Sequence, residues 1–178
     1  MGVESAWRPV LPVAYVLITN LGLFLIAACI IGRTWCTLYI GGHKRRRLIV
    51  RGPYSVVRNP LYAFTIMGTA GVGAQSGSLA VALFFAASAA VMFLLVVRQE
   101  EGFLASRFGE DFTAYARRVP RFWPRLSQWQ DAPELLVDPY LVRRSFLDGC
   151  LFLIAVPVAQ LVHDMHDDGW FSSRISLP

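Results

Sequence analysis

The sequence is poor in charged side chains, which make up 16% of its 178 residues. Soluble domains usually carry about 25%. Apolar residues make up 55% of the chain, so a soluble protein of this length would have too few polar side chains to cover its surface. The shortage of charge argues against an ordinary soluble domain and indicates that lipid covers part of the protein.

Cysteine is also scarce, with Cys29, Cys36 and Cys150 the only three. Their spacing forms neither an even-numbered disulfide framework nor a CxxC metal motif. Cys29 and Cys150 lie in apolar runs and are interpreted as small buried hydrophobes. No zinc or haem signature and no C-terminal lipidation box are found, so we expect no metal and no lipid anchor.

Charge is completely missing from two long stretches, residues 11–31 and 79–97. Each is close to the roughly 20 residues that a helix needs to cross a bilayer. The first is too long for the apolar core of a signal peptide and is interpreted as a permanent span. These two stretches predict at least two transmembrane helices.

Two shorter apolar stretches lie at residues 61–74 and 145–162. The first is rich in Gly and Ala, which allow helices to approach closely in a membrane, and residues 75–78 would connect it to the third span as a helical hairpin. The second contains Asp148 and Pro157 and is expected to span with a kink, or alternatively to lie in the interface. The sequence therefore predicts one all-α membrane domain with about four spans.

Lys and Arg residues cluster in segments 32–60 and 98–144, which hold all 17 except Arg8 and Arg174. With four spans both segments lie on one side, which the positive-inside rule assigns to the cytoplasm. We therefore expect a multi-pass protein of the cytoplasmic membrane, with its N-terminus and acidic tail outside. The basic cluster at 44–47 is read as a topology signal or a substrate contact, and its place between spans argues against nucleic acid as a partner.

The first motif, RGPYSVVRNPLY, occupies residues 51–62 just before the second apolar stretch. Its two prolines and one glycine impose a fixed, non-helical path whose backbone groups can face a polar ligand. Such backbone is tolerated at membrane depth only where it is buried in protein or lines a cavity. Tyr54 and Tyr62 add flat rings that can stack on an adenine or contact a sulfonium.

The second motif begins at residues 98–101, where two adjacent carboxylates follow the third span. Carboxylates at a membrane boundary are costly unless they are solvated or paired, so Glu100 could hold an amino group or could simply cap a helix in water. Residues 100–119 show apolar side chains at three- and four-residue spacing and predict an amphipathic helix that ends at Pro120. Such a helix can lie on the bilayer or close over a site.

Together the two motifs resemble a family. GPYxxVRNPxY is similar to the GxYxxxRHPxY box of isoprenylcysteine carboxyl methyltransferases and related phospholipid methyltransferases. Residues 100–121 are similar to their EExxLxxxFGxxYxxYxxxVPR box. The resemblance implies a small helical membrane protein that binds S-adenosylmethionine at its cytoplasmic face, with a cofactor-binding core at about 46–124. The methyl acceptor would be lipophilic: a prenylcysteine-like carboxylate, a membrane lipid or another lipophilic molecule.

The resemblance also implies roles for individual residues. Glu100 would hold the amino group of the cofactor, Arg58 would anchor a carboxylate, and Tyr62 or Glu101 would help to remove a proton from an amine acceptor. The remaining cofactor contacts would be Arg46, Arg47, Leu48, Ile49, Tyr54, Asn59, Pro60, Leu61 and Tyr62 itself.

Two positions depart from the family pattern. Asn59 replaces its His, and because an amide does not titrate near neutral pH, a proton-transfer role is excluded there. Val96 stands one turn before the first Glu, where the eukaryotic enzymes have a substrate-holding Arg, and the nearest cation is Arg98. Two alternatives stay open from the sequence: a sterol-type reductase that uses NADPH, and a non-catalytic scaffold that keeps the fold.

Overall fold

The computed structural model describes residues 12–41 and 47–167, and over these residues the protein is all-helical. Short 3-10 helices lie at Leu126–Gln128 and Leu151–Ile154. The α-helices are α1 (Pro12–Ile40), α2 (Pro53–Val56), α3 (Pro60–Ala74), α4 (Leu79–Arg118), α5 (Pro139–Cys150) and α6 (Ala155–Asp167). The predicted all-α class is confirmed.

Helices α1 and α4 are the two in the described part that are long and apolar enough to cross a bilayer. Only 22% of the apolar window of α1 and 17% of that of α4 is buried inside the protein. A core helix of a soluble protein would be mostly buried, so the exposed apolar surface indicates contact with lipid. Helix α1 continues beyond the predicted span end at residue 31 and ends at Ile40.

Helices α3 and α4 form the predicted hairpin, and α3 also packs along α1. Close approach of backbones makes this packing possible, because a Cβ atom at Gly71 would lie 2.6 Å from the carbonyl oxygen of Gly22 on α1. A Cβ atom at Gly73 would lie 2.8 Å from Ala82 on α4. Small residues thus place α3 between the two long helices, as expected for packing in lipid.

Helix α4 does not end where the third span was predicted to end. It continues through Glu100 as far as Arg118, so the predicted amphipathic helix is its second half and Glu100 is not a helix cap. The helix breaks at Gly109, where φ is +53° and ψ is −120°. This conformation is open to glycine and strained for other residues, and it redirects the last turns of α4.

The fourth apolar stretch is not one straight helix. Helix α5 begins at Pro139, earlier than predicted, packs against α1, and gives way to the 3-10 helix Leu151–Ile154 before α6. Pro157 explains the interruption, because its ring nitrogen cannot donate to the carbonyl of Leu153 and its ring crowds that carbonyl. The 3-10 turn therefore lies just before the proline. Four spans remain a prediction.

Candidate functional site

The two motifs meet where α3 begins and α4 passes it, around a cavity of about 620 Å³. The cavity is lined by most of the predicted site residues, namely Arg47, Leu48, Ile49, Tyr54, Arg58, Asn59, Leu61, Tyr62 and Glu100. Pro60, Arg98 and Glu101 are not in its lining, and Arg46 lies outside the described residues.

The sequence reasoning missed part of this lining, which also includes Ile40, Val96, Gln99, Phe103, Leu104, Phe108 and Tyr115. Several of these had a readable signal. Val96, Phe103 and Leu104 lie three or four residues from Glu100, so they share its face of α4. Following the helix face of Glu100 toward both ends of α4 would have identified these lining residues.

The first motif owes its path to Gly52, which has a φ of +59°. A Cβ atom there would overlap the ring of Tyr39, so glycine is required for space as well as for conformation. Pro53 then begins α2, and the hydroxyl of Ser55 donates to the Gly52 carbonyl at 2.7 Å. The Gly52 N–H donates to the carbonyl of Gln130 at 2.8 Å, which fixes the turn to the segment after α4.

Glu100 faces the cavity from α4, and one of its carboxylate oxygens accepts a hydrogen bond of 2.8 Å from the Tyr62 hydroxyl. The Tyr62 ring packs on Phe93 of α4, with ring centroids 4.9 Å apart. The hydrogen bond and the ring contact fix the start of α3 against α4. They also orient an exposed carboxylate toward the space between the helices.

Glu101 points to a different set of partners. Its carboxylate accepts from Arg121 Nη2 at 2.6 Å and from Arg121 Nε at 3.2 Å, and Arg58 Nη1 lies 3.4 Å away. The Glu101 carboxylate raises the pKa of Arg121 by accepting its hydrogen bonds. Two guanidinium groups thus occupy the oxygens of this carboxylate. Glu101 therefore links the two motifs through its contacts with Arg58 and Arg121.

Asn59 and Arg58 belong to the same polar cluster. The Asn59 amide donates to the Arg121 carbonyl at 3.3 Å and lies 3.5 Å from the Glu101 carboxylate. Asn59 is buried, so an amide that bonds a carbonyl suits this position better than a titrating ring. Arg58 pairs with Glu101, while its Nε is buried without a hydrogen-bond partner in the described part of the chain.

The last turns of α4, redirected at Gly109, close over the first motif. Phe112, Tyr115 and Val119 are buried there, packed against partly buried side chains that include Leu48 and Phe108. The Tyr115 hydroxyl donates to the Tyr54 carbonyl at 2.8 Å. The Arg58 N–H donates to the Pro120 carbonyl at 2.8 Å, and the Arg125 N–H to the Val56 carbonyl at 2.9 Å. Backbone bonds thus join the motifs into one unit.

Tyr54 lies beneath this closure and lines the cavity. Burial raises the pKa of its phenol well above the usual value. Tyr54 is therefore a neutral hydrogen-bonding ring near neutral pH. With the carboxylate of Glu100 and the guanidinium groups of Arg47 and Arg58, the cavity can accept a ligand that carries an amine, a carboxylate and a flat ring.

A second cavity, of about 830 Å³, lies at the opposite end of the hairpin between α1, α3, α4 and α6. Its lining is mostly apolar and includes Val72, Phe85 and Phe152, with Gln75 and Ser76 at the turn. Neither motif reaches it. Within residues 12–41 and 47–167, no group of three or more His, Cys, Asp or Glu side chains could hold a metal ion.

Comparison with known proteins matches the motif-bearing part of the chain to one family. A phospholipid methyltransferase family model matches residues 9–111. This range covers α1, the first motif, the hairpin and the start of the second motif. No solved structure matches the chain.

Two relatives carry names that refer to metal resistance. The cobalt-zinc-cadmium resistance protein CzcN of Cupriavidus metallidurans is 38% identical over 161 residues, which cover 90% of this chain and 74% of the relative. The nickel-cobalt-cadmium resistance protein NccN of Alcaligenes xylosoxydans xylosoxydans is 35% identical over 159 residues, or 89% and 74% of the two chains. The likeness therefore extends well beyond the two motifs.

Proposed function

The chain belongs to the phospholipid methyltransferase family, and from this premise we propose that it transfers a methyl group from S-adenosylmethionine to a lipophilic acceptor at the cytoplasmic membrane face. The observation that carries the proposal is the meeting of both motifs around one cavity, with the Glu100 carboxylate and the Tyr54 ring in its lining. The acceptor would be a membrane lipid or another lipophilic molecule.

The residues present fit this cofactor. A cavity of about 620 Å³ is within the range usual for small-molecule sites. Glu100 would bind the cofactor's ammonium group, and Arg47 or Arg58 its carboxylate. Tyr54 and the turn Asn59, Pro60, Leu61 and Tyr62 would contact the rest of the molecule, together with Leu48 and Ile49. Arg46, which precedes this segment, would belong to the same group.

The cofactor supplies a methyl group on a sulfonium, which an anionic or neutral nucleophile can attack without metal assistance. The residues of this chain would orient the two reactants and exclude water, and alignment alone can contribute about 7 kcal/mol or more. For an amine acceptor, Tyr62 and Glu100 are a hydrogen-bonded pair that could pass a proton outward. Glu101 would act as a positioning residue, because both arginines occupy its oxygens.

We propose that the cofactor-binding core extends over about residues 46–124 and faces the cytoplasm, with Arg98 at the membrane boundary near the acceptor. We further propose that the whole chain is one multi-pass domain of the cytoplasmic membrane. Two contacts of α5 and of the 3-10 helix after it support a path through the bilayer: Gly149 packs on Ile30, and Phe152 reaches the position of Gly68. Both contacts lie along apolar parts of α1 and α3.

The relatives' names connect them with resistance to cobalt, zinc, cadmium and nickel. We propose that this chain acts in such resistance through methylation of a membrane component. If so, a Glu100→Ala strain should lose metal tolerance as completely as a deletion strain. Full tolerance in the Glu100→Ala strain would contradict a role for methyl transfer in resistance.

Calorimetry with S-adenosylhomocysteine on the purified protein in neutral detergent tests the site. Glu100→Ala and Tyr54→Ala should each weaken binding by about ten-fold or more, as expected for loss of an ionic or ring contact. Glu110→Ala is the matched control, because Glu110 is exposed on the same helix outside the cavity lining. Wild-type affinity in both site variants would contradict the assignment.

The same preparation separates the proposal from its alternatives. Transfer of labelled methyl groups from S-adenosylmethionine into a lipid extract would rule out a non-catalytic scaffold. Displacement of S-adenosylhomocysteine by NADPH would favour a reductase. Mass spectrometry of lipids that gain about 14 Da, the mass of one added methylene, would identify the acceptor.

A further inference from the structure

Helix α1 carries an arginine, Arg33, that neither motif includes. Its Nη1 donates a short hydrogen bond to the hydroxyl of Thr65 on α3, and its Nε is buried without a hydrogen-bond partner among the described residues. The described residues place no carboxylate within ion-pair distance of it. A guanidinium with five donors is therefore partly enclosed between two helices with one neutral side-chain partner.

From the sequence, Arg33 is expected near the level where the membrane ends. It follows the uncharged stretch 11–31 of α1 just as Arg98 follows the uncharged stretch 79–97 of α4. An arginine at such a boundary usually extends outward to lipid headgroups. Arg33 instead turns inward to α3, and charged groups that face the interior of a membrane protein generally mark a ligand or ion site.

The bond to Thr65 places Arg33 beside the motif cavity, next to its lining residues. Ile40, one heptad later on the same face of α1, is a lining residue of the cavity. Tyr62 also lines it, and Thr65 follows Tyr62 by three residues, which is a rise of about 5 Å along α3. The Arg33 guanidinium is close enough to the Tyr62 hydroxyl to interact with it electrostatically.

The other cations of the site are less suited to a lipid-borne anion. Arg58 and Arg121 are both engaged by Glu101. Neither Arg98 nor Arg33 is in the cavity lining, but Arg98 is exposed whereas Arg33 is partly buried. Arg47 enters the cavity from the loop before α2. Among the described arginines of this region, Arg33 is the one that bonds between two helices of the bundle.

We propose that Arg33 binds the anionic group, a carboxylate or a phosphate, of the lipophilic methyl acceptor. The inference rests on the proposed methyl transfer and deepens it by naming the acceptor class. The acceptor's chain stays in the bilayer, its anion pairs with the guanidinium between α1 and α3, and its methylated atom reaches the cavity. Arg33 would thereby supply the substrate-binding positive charge that is missing at Val96 on α4.

Native mass spectrometry of the purified protein in neutral detergent tests this assignment with three probes that share one chain: palmitate, hexadecyl phosphate and hexadecanol. The wild type should retain the anions in preference to the alcohol. Arg33→Gln should lower this preference about ten-fold, the effect of one charge-assisted hydrogen bond. Arg33→Lys should keep most of it, because the charge remains. A loss confined to palmitate identifies a carboxylate lipid, and one confined to hexadecyl phosphate identifies a phosphate lipid.

Arg117→Gln is the matched control, since it removes one exposed cytoplasmic arginine and should leave the preference unchanged. Binding of S-adenosylhomocysteine, measured on each variant, reports that the site is folded. Equal preference in wild type and Arg33→Gln, or an equal loss in Arg117→Gln, would overturn the assignment and leave Arg33 as a link between helices. Failure of the wild type to bind S-adenosylhomocysteine would instead overturn the proposed function, so the two failures can be distinguished.

Discussion

The two ends of the α3–α4 hairpin are held together by different kinds of contact. At the motif end, polar bonds join distant residues, as when Glu101 binds Arg58 and Arg121. At the turn end, backbones touch across glycines, and a Cβ atom at Gly73 would lie 2.8 Å from the Cα atom of Ala82 on α4. The motif end is held by a few directional polar contacts, whereas the turn end is held by close backbone packing at residues without side chains.

This difference explains why the polar candidate site lies at the motif end. Directional bonds can orient a carboxylate such as Glu100 toward a ligand, whereas small-residue packing positions backbones and offers few polar groups. The cavity at the turn end is the larger of the two described above, yet its lining is mostly apolar. Volume alone therefore does not locate the chemistry.

The largest effect is expected from filling the close packing at the turn end. Gly71→Leu should destabilise the protein by about 3 kcal/mol or more, because the new side chain meets the α1 backbone, which cannot move aside easily. The thermal unfolding midpoint in detergent measures this. Gly102→Leu is the control, since a Cβ atom there meets nothing within 4 Å. Equal midpoints for the two variants would contradict the packing argument.

A smaller effect is expected from breaking the polar tie at the motif end. Glu101→Ala leaves Arg58 and Arg121 without their shared partner and should lower stability by about 2 kcal/mol, below the range for fully buried pairs. The Arg121 side chain is 38% exposed, so water compensates for part of the loss.

Glu100→Ala is the comparison for that variant, because the two carboxylates are neighbours with different surroundings. It should change the thermal midpoint little and weaken S-adenosylhomocysteine binding strongly. The reverse pattern, in which Glu100→Ala unfolds the protein and Glu101→Ala only weakens binding, would contradict the division of roles described above.

Tyr115→Phe removes a single bond between the motifs, the one that its hydroxyl donates to the Tyr54 carbonyl. The expected loss is about 1 kcal/mol, typical of one neutral hydrogen bond. Binding of S-adenosylhomocysteine should weaken with it, since Tyr54 lines the cavity. Tyr140→Phe, at a ring that is 58% exposed, should alter neither quantity.

The smallest effect concerns pH. Burial raises the pKa of Tyr54 in the folded protein, whereas an unfolded chain ionises tyrosine near pH 10. Below about pH 10 the phenol is protonated in both states, so this group leaves stability unchanged. Above that pH the unfolded state alone ionises, and stability should fall. Thermal midpoints should be flat between about pH 7 and 9 and decline beyond 10, less steeply in Tyr54→Phe.

Much of the fold could be predicted from the sequence because its signals are local. Uncharged runs predicted α1 and α4, and the Gly- and Ala-rich stretch predicted the short helix α3. The path after Pro139 was harder to predict, because a proline effect acts on the turn before it and the 3-10 helix Leu151–Ile154 carries no signature of its own.

The site was predictable in so far as the motif residues meet at one cavity. The ion pairs and hydrogen bonds within the site were not predictable. Glu101 and Arg58 are far apart in sequence, and either of the two adjacent carboxylates could have faced the cavity. Only the register of α4 distinguishes Glu100 from Glu101. Arg33 was overlooked for a similar reason, since a cation after an apolar run indicates topology and says nothing about the direction of its side chain.

The break in α4 imposes an unusual requirement at Gly109. No atom lies within 4 Å of a Cβ built there, so the space would admit a side chain. The backbone angles, +53° and −120°, are the mirror image of a region that L-residues favour. Position 109 therefore requires a residue of D-like backbone conformation and is not limited by space. D-alanine introduced by chemical synthesis should preserve the bend and restrict the unfolded chain. L-alanine should oppose the bend.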